Sequence, residues 1–184
     1  SVESIVALEQ VMTSSYVRIG APNKALIDKY RTGDKRKSLF YKAITASAYS
    51  VQKYGEKGNE GYRCSFRSAE AYLIAAEAAA ELAADNAAAD DSKLNEARTY
   101  LKKLMVKRYA SAKYNQYAAQ LDNMQKADLL KAIFNERAYE LAFEGHRWFD
   151  LRRTSRPELT KTYDDKTYTL SENDSRYTMR FPIE

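Results

Sequence analysis

From Phe66 to Ala83 the small and apolar residues return at three- and four-residue steps: Phe66, Ala69, Leu73, Ala76, Ala80 and Ala83. A half-buried strand would need a period of two, so this spacing predicts an amphipathic helix over about 66–84. The inward face is mostly alanine, which lets a neighbouring helix approach closely. A second stripe, Leu94, Ala97, Leu101, Leu104 and Met105, comes after Ser92, a natural N-cap. The link between them, Asp85 to Asp91, is short and acidic, so the two helices should fold back as an antiparallel hairpin. That hairpin, residues 66–109, has the size of one tetratricopeptide unit, and no second copy aligns with it within the chain.

A third, longer helix is expected from about Gln125 to Glu144, with Leu130, Ile133, Phe134, Leu141 and Ala142 facing inward. Gly145 marks its stop or bend, and Arg147 to Arg153 should add another turn or two. Beyond Pro157, Lys161 to Leu170 and Arg176 to Phe181 read as two extended segments joined by the polar turn Ser171 to Ser175. The first 62 residues are different: Ser4 to Leu8 suggests a strand, and Gly20, Pro22, Gly33, Gly55, Gly58 and Gly61 interrupt the rest of that segment. The expected fold is mainly α: an α-α superhelix with a tetratricopeptide-like hairpin, loop-rich regions and a few short strands. Its expected parts are a loop-rich segment (1–62), a helical core (63–156) and an extended C-terminal segment (157–184).

Composition closes off several function classes. Every apolar run is broken by Glu or Arg within a few residues, far short of the roughly 20 that a spanning helix needs. The 30 Lys and Arg against 25 Asp and Glu leave a net charge of +5, spread along the chain rather than clustered as nucleic-acid binding requires. Cys64 is the only cysteine, so no internal disulfide is possible, and it reads as a small buried apolar residue. Tyrosine is abundant, at 15 residues. Its flat face and polar tip suit sugar rings and wet interfaces, although most of these side chains should straddle core and surface.

Glu136, Glu140 and Glu144 fall at i, i+4 and i+8, a row of carboxylates along one side of the third helix. Glycoside hydrolysis uses two carboxylates roughly 5–10 Å apart that face each other across a bond, which a row on one helix cannot supply. Arg137, Arg147, Arg152 and Arg153 lie in the same stretch, so the expected arrangement is an ion-pair network locking the long helix to the turn after it. His146 is the only histidine, and no Gly-x-Ser-x-Gly elbow accompanies it, so nucleophilic catalysis has no partner set. One His and one Cys are too few for zinc, Asp85, Asp90 and Asp91 lack EF-hand spacing, and there is no glycine-rich phosphate loop. No catalytic residue, metal or cofactor is expected.

The run Asn135-Glu136-Arg137-Ala138-Tyr139-Glu140-Leu141-Ala142-Phe143-Glu144-Gly145-His146-Arg147-Trp148-Phe149-Asp150-Leu151-Arg152-Arg153 resembles the C-terminal signature of the SusD/RagB family, approximately ER-x-x-EL-x-FEGHRWFDLRR. Other stretches agree in order. Phe66-Arg67-Ser68-Ala69-Glu70-Ala71-Tyr72-Leu73 through Glu77-Ala78 is similar to the family's AE-x-YL helix, with Lys53-Tyr54 ahead of it. Tyr30 with Asp34-Lys35-Arg36 after it is similar to the family's Tyr and Asp-x-Arg, and Phe181-Pro182-Ile183-Glu184 to its proline-containing close.

The resemblance implies a surface-exposed outer-membrane lipoprotein of Bacteroidetes-type bacteria that captures oligosaccharide or another nutrient without chemistry. It also implies a partner, a SusC-like TonB-dependent barrel transporter. Members are two to three times longer, with an N-terminal lipidated cysteine and further helix pairs, so this chain is expected to be the C-terminal portion of one such domain. Arg137, Glu140, Glu144, Gly145, His146, Arg147, Trp148, Asp150 and Arg152 form the structural family motif, and no ligand-binding residue is carried over. The rival readings are a helical scaffold for a protein or peptide, which would set exposed tyrosines on a helical groove, and a hydrolase with opposed acids.

Overall fold

The computed structural model describes residues 4–8, 22–53 and 64–178. Gly20, Tyr54, Gly55, Gly58, Gly61 and the closing Phe181 to Glu184 lie outside them. The chain divides into two compact units, Ser1–Leu141 and Ala142–Glu184. The fold is mainly α with a few short strands, as the periodicities predict.

In the first unit, β1 (Ser4–Leu8) pairs antiparallel with β4 (Cys64–Arg67), and β2 (Tyr41–Ala43) pairs antiparallel with β3 (Tyr49–Val51). Two short helices, α1 (Lys24–Ile27) and α2 (Lys35–Phe40), precede β2, capped by the side chains of Asn23 and Asp34. The core is built by α3 (Ser68–Leu82) and α4 (Ser92–Arg108), the tetratricopeptide-like hairpin, with α5 (Ser111–Asp122) and α6 (Lys126–Glu140). Helix α3 buries Ala69, Leu73, Ala76, Ala79 and Ala80, and α4 buries Leu94, Ala97, Leu101, Leu104 and Met105 against them. Small residues on one side face long ones on the other, which lets the two helices approach closely.

Several details differ from expectation for physical reasons. Phe66 belongs to β4 instead of opening the helix, and it is 60% exposed. The cap of α4 is Asp91, not Ser92, because the Asp91 carboxylate accepts from the amides of Lys93 and Leu94. Helix α5 carries only Ala118 and Leu121 as buried residues, too sparse a stripe to read from period alone. Its C-terminal carbonyls are held by the buried Arg98, whose Nε donates to Leu121 O at 2.7 Å and whose Nη2 donates to Met124 O. Lys126 does the same for α3, donating to Glu81 O at 3.1 Å and Ala83 O at 2.9 Å. Cationic side chains thus satisfy orphan carbonyls at two helix ends.

Helix α6 ends at Glu140 rather than Glu144, and it turns Leu129, not Leu130, inward. Its buried stripe includes Leu129, Ile133, Glu136, Arg137 and Glu140, so the second half of its inner face is charged.

In the second unit, Phe143 (φ +64°) and Gly145 (φ +83°) take left-handed backbone conformations ahead of α7 (His146–Arg153). The next element is a hairpin of β5 (Leu159–Tyr163) and β6 (Lys166–Leu170), in the register Leu159↔Leu170, Lys161↔Tyr168 and Tyr163↔Lys166. The two-residue turn is Asp164-Asp165, both left-handed at φ +49° and +56°, which matches the twist of a tight hairpin. The chain reversal therefore falls inside the segment expected to be continuous. Ser171 to Ser175 leads instead into a 3-10 turn, Ser175–Tyr177.

Candidate functional site

Three carboxylates and three guanidiniums meet beneath the C-terminal half of α6. Asp34, the cap of α2, accepts from the Arg36 amide at 2.9 Å and from Arg36 Nη2 at 2.7 Å. The same guanidinium reaches across to α6: Nη2 donates to Glu136 Oε2 at 2.7 Å, and Nη1 to Glu140 Oε2 at 3.3 Å. Arg108 completes a bidentate fork on Glu140, Nε to Oε2 at 2.9 Å and Nη2 to Oε1 at 3.0 Å. Arg67 adds Nη1 to Oε1 at 3.0 Å. Tyr109, adjacent to Arg108, donates its hydroxyl to Glu136 Oε1 at 2.6 Å and accepts from Arg36 Nη2 at 3.2 Å.

Asp34, Arg36, Glu136 and Glu140 are buried, Arg67 and Arg108 are partly so, and each charge is answered. Arg36 is 1% exposed and Glu140 is fully buried, so a missing partner would leave a bare charge in a low-dielectric core. Burial alone would raise the Glu140 carboxyl, but the Arg108 hydrogen bond and charge, then Arg36 and Arg67, hold it down to about 2.

The same cluster ends α6. Lys53 Nζ donates to Glu140 O at 2.7 Å, Arg67 Nη2 to Glu140 O at 3.3 Å, and Tyr30 Oη to Tyr139 O at 2.9 Å. The Tyr30 hydroxyl also pairs with that of Tyr41 at 3.0 Å. Carbonyls that a longer helix would have used internally are thus taken by side chains from three other segments.

Glu136 and Glu140 of the expected row take part in an ion-pair network within the first unit. The guanidiniums set on Glu136 and Glu140 are those of Arg36, Arg67 and Arg108. Arg153 answers Asp150 within α7, Nη2 to Oδ1 at 2.9 Å. Of the motif, Arg137 and Glu140 lie on α6, Glu144 and Gly145 in the turn, and His146, Arg147, Trp148, Asp150 and Arg152 on α7. Trp148 stacks on Tyr177, ring centroids 5.1 Å apart and 14° from parallel. Tyr177 in turn donates its hydroxyl to Pro157 O, and Asn173 N donates to Arg156 O at 2.9 Å, which closes the base of the β5–β6 hairpin.

Arg36 occupies the space between Glu136 and Glu140, where an acid–base pair would need substrate. Among the described residues, no group of three or more His, Cys, Asp or Glu could hold a metal ion, and no helix is long and apolar enough to cross a membrane. Much of the tyrosine content is structural: Tyr30, Tyr41, Tyr109, Tyr139 and Tyr177 are buried. Tyr168, on the hairpin, is 56% exposed, and Tyr72, on α3, is at the margin.

The SusD family model matches residues 8–182, nearly the whole chain. The chain belongs to the SusD family. The SusD fold is also seen in a solved structure of a SusD superfamily protein from Bacteroides fragilis, 23% identical, with a TM-score of 0.63 over 97% of this chain. This SusD chain spans only 42% of that protein's length. A SusD-like carbohydrate binding protein from Bacteroides vulgatus is 24% identical over 82% of this chain and 33% of its own, with a TM-score of 0.48. No curated protein matches. Within the SusD signature, Glu136 and Glu140 are the α6 half of the buried clamp, and Trp148 stacks on the Tyr177 that closes the base of the hairpin.

Proposed function

We propose that this chain is the C-terminal portion of a single longer SusD-type domain that captures glycan at the bacterial outer membrane without altering it. The captured oligosaccharide passes to a TonB-dependent barrel transporter, and a lipid on an N-terminal cysteine outside this chain holds the protein at the surface. Family membership over residues 8–182 carries the reading. Its chemical support is the state of the signature acids: Glu136 and Glu140 are enclosed by Arg36, Arg67, Arg108 and Tyr109, so they specify architecture and have no path to a glycosidic oxygen. The motif residues Arg137, Glu144, Gly145, His146, Arg147, Trp148, Asp150 and Arg152 are read in the same way, as framework.

The test is affinity electrophoresis of the chain through gels containing a panel of polysaccharides, with product analysis of the same mixtures. Retardation by at least one polysaccharide with no new reducing ends is the expected result. Release of sugar by the purified chain would replace capture with hydrolysis.

A second reading, a helical scaffold for a protein partner, draws on one observation. Ile74 and Leu82 are more than half exposed on α3, on the side of the helix away from its buried alanines. Exposed apolar side chains aligned along a helix suit a partner surface. Substituting Ile74→Lys and Leu82→Lys leaves glycan retardation unchanged if capture is the function of the chain.

A further inference from the structure

The β5–β6 hairpin is a two-stranded ribbon whose faces have different chemistry. Thr160 pairs with Thr169 and Thr162 with Thr167, their hydroxyls 3.5 and 3.4 Å apart, so the threonines share one face. Side chains alternate along a strand, which puts Lys161, Lys166 and Tyr168 on the other face. Lys161 is directly across from Tyr168 in the register, and Lys166 lies two residues along the same strand, about 7 Å by strand rise. All three are exposed.

An isolated two-stranded hairpin is marginal in water, yet this one is held at its base. Leu159 and Leu170 are half-buried there, Arg176 Nη2 donates to Thr169 O at 3.1 Å, and the Trp148–Tyr177 stack reaches the chain through Pro157. The Trp148–Tyr177 stack therefore braces an arm whose Tyr168 side chain is more than half exposed.

We propose that the Lys161–Tyr168–Lys166 face is a binding subsite for an anionic sugar residue. The proposal rests on the glycan-capture reading and narrows its ligand. The C–H face of a pyranose lies on the Tyr168 ring, and a carboxylate or sulfate on that sugar takes the two ammonium groups. Asp164 and Asp165 are confined to the turn, which leaves Lys161 as the charge directly beside the ring. The net charge of +5 adds a favourable long-range term for an anionic polymer.

Amide-resolved NMR titration of the 184-residue chain tests this with three probes: a tetragalacturonate, a sulfated chondroitin tetrasaccharide and neutral maltotetraose. At least one anionic probe should shift the amides of Lys161, Lys166 and Tyr168, and which one responds separates carboxylate from sulfate. Tyr168→Ala and Lys161→Gln, both on the exposed face, should each weaken that probe about tenfold, with the remaining amides unmoved by the substitution. If maltotetraose shifts the hairpin as strongly, or if the anionic probes act only elsewhere, the subsite is overturned while glycan capture stands. If no probe and no polysaccharide on the gel panel binds, both readings fall.

Discussion

Tyr109 donates its hydroxyl to Glu136 across 2.6 Å, and the same oxygen accepts from Arg36 at 3.2 Å, so one phenol ties the end of α4 to both signs of charge under α6. Tyr109→Phe keeps the ring and removes that link. Leaving Glu136 short of a buried donor should cost about 1–3 kcal/mol. Urea unfolding monitored by far-ultraviolet circular dichroism measures it, and an unchanged midpoint would show that the hydroxyl is dispensable.

Acid should unfold the chain through Glu140. Its carboxyl is lowered from 4.5 to about 2 in the folded state, so its contribution is complete above the unfolded value and is lost as pH falls through the window between them. At about 1.4 kcal/mol per pH unit, that contribution is about 3 kcal/mol. Glu140→Gln should be strongly destabilised at neutral pH, by about 3–5 kcal/mol, because three guanidiniums lose their shared anion. The stability of the variant, if enough fold remains to measure, should depend less steeply on pH between 4.5 and 2 than that of the parent.

Alkali tests the opposite sign. Burial, then the hydrogen bond to Tyr41, raises Tyr30 far above the ordinary phenol range, and burial, then Glu136, does so for Tyr109. Tyr41 and Tyr139 are also raised, chiefly by burial. Stability from these groups is present below the unfolded phenol value and is lost as pH rises through the folded one. An ultraviolet titration should show these four tyrosines ionising only in step with unfolding.

Two glycines separate strain from crowding. Both Gly33 and Gly145 sit at left-handed φ, +82° and +83°. A Cβ on Gly145 meets nothing within 4 Å, so Gly145→Ala should cost only the conformational term, about 1–2 kcal/mol. A Cβ on Gly33 would lie 2.8 Å from Lys113 Cγ, so Gly33→Ala should cost more. Lys113→Ala in the same chain removes the Cγ contact but keeps the Cβ at 3.0 Å, so it should recover part of the difference, which calorimetric melting of the variants would measure.

The helical hairpin was legible because its burial is apolar and periodic: Leu73, Ala76, Leu94, Ala97 and Leu101 announce themselves by spacing. The clamp was only half legible. Glu136 and Glu140 stand out as a row, but a row on one helix says nothing of which distant segment answers it. Arg36 lies 104 positions before Glu140 and Arg67 lies 73 before it, separations over which no local pattern persists. The family's Asp-x-Arg and its Arg before the AE-x-YL helix carried that signal, as Asp34, Arg36 and Arg67. Arg108 and Tyr109 carried none, since basic and aromatic residues at a helix end are ordinary. The end of α6 was misplaced for a related reason: side chains from elsewhere take its last carbonyls, and hydrophobic periodicity cannot register that. The hairpin turn was missed because Asp-Asp, unlike Asn-Gly, is a weak signal for two consecutive left-handed residues.

Because Arg36 enters the cluster from the loop-rich early part of the chain, the helical hairpin and α6 are not a self-sufficient minimal piece. A recombinant version trimmed to begin at β4 would keep every leucine and alanine of the helical core yet strand two deeply enclosed acids beside a void of guanidinium shape. Boundary choice for expression, and any attempt to transplant the signature onto another scaffold, must therefore carry Tyr30 to Arg36 along with it.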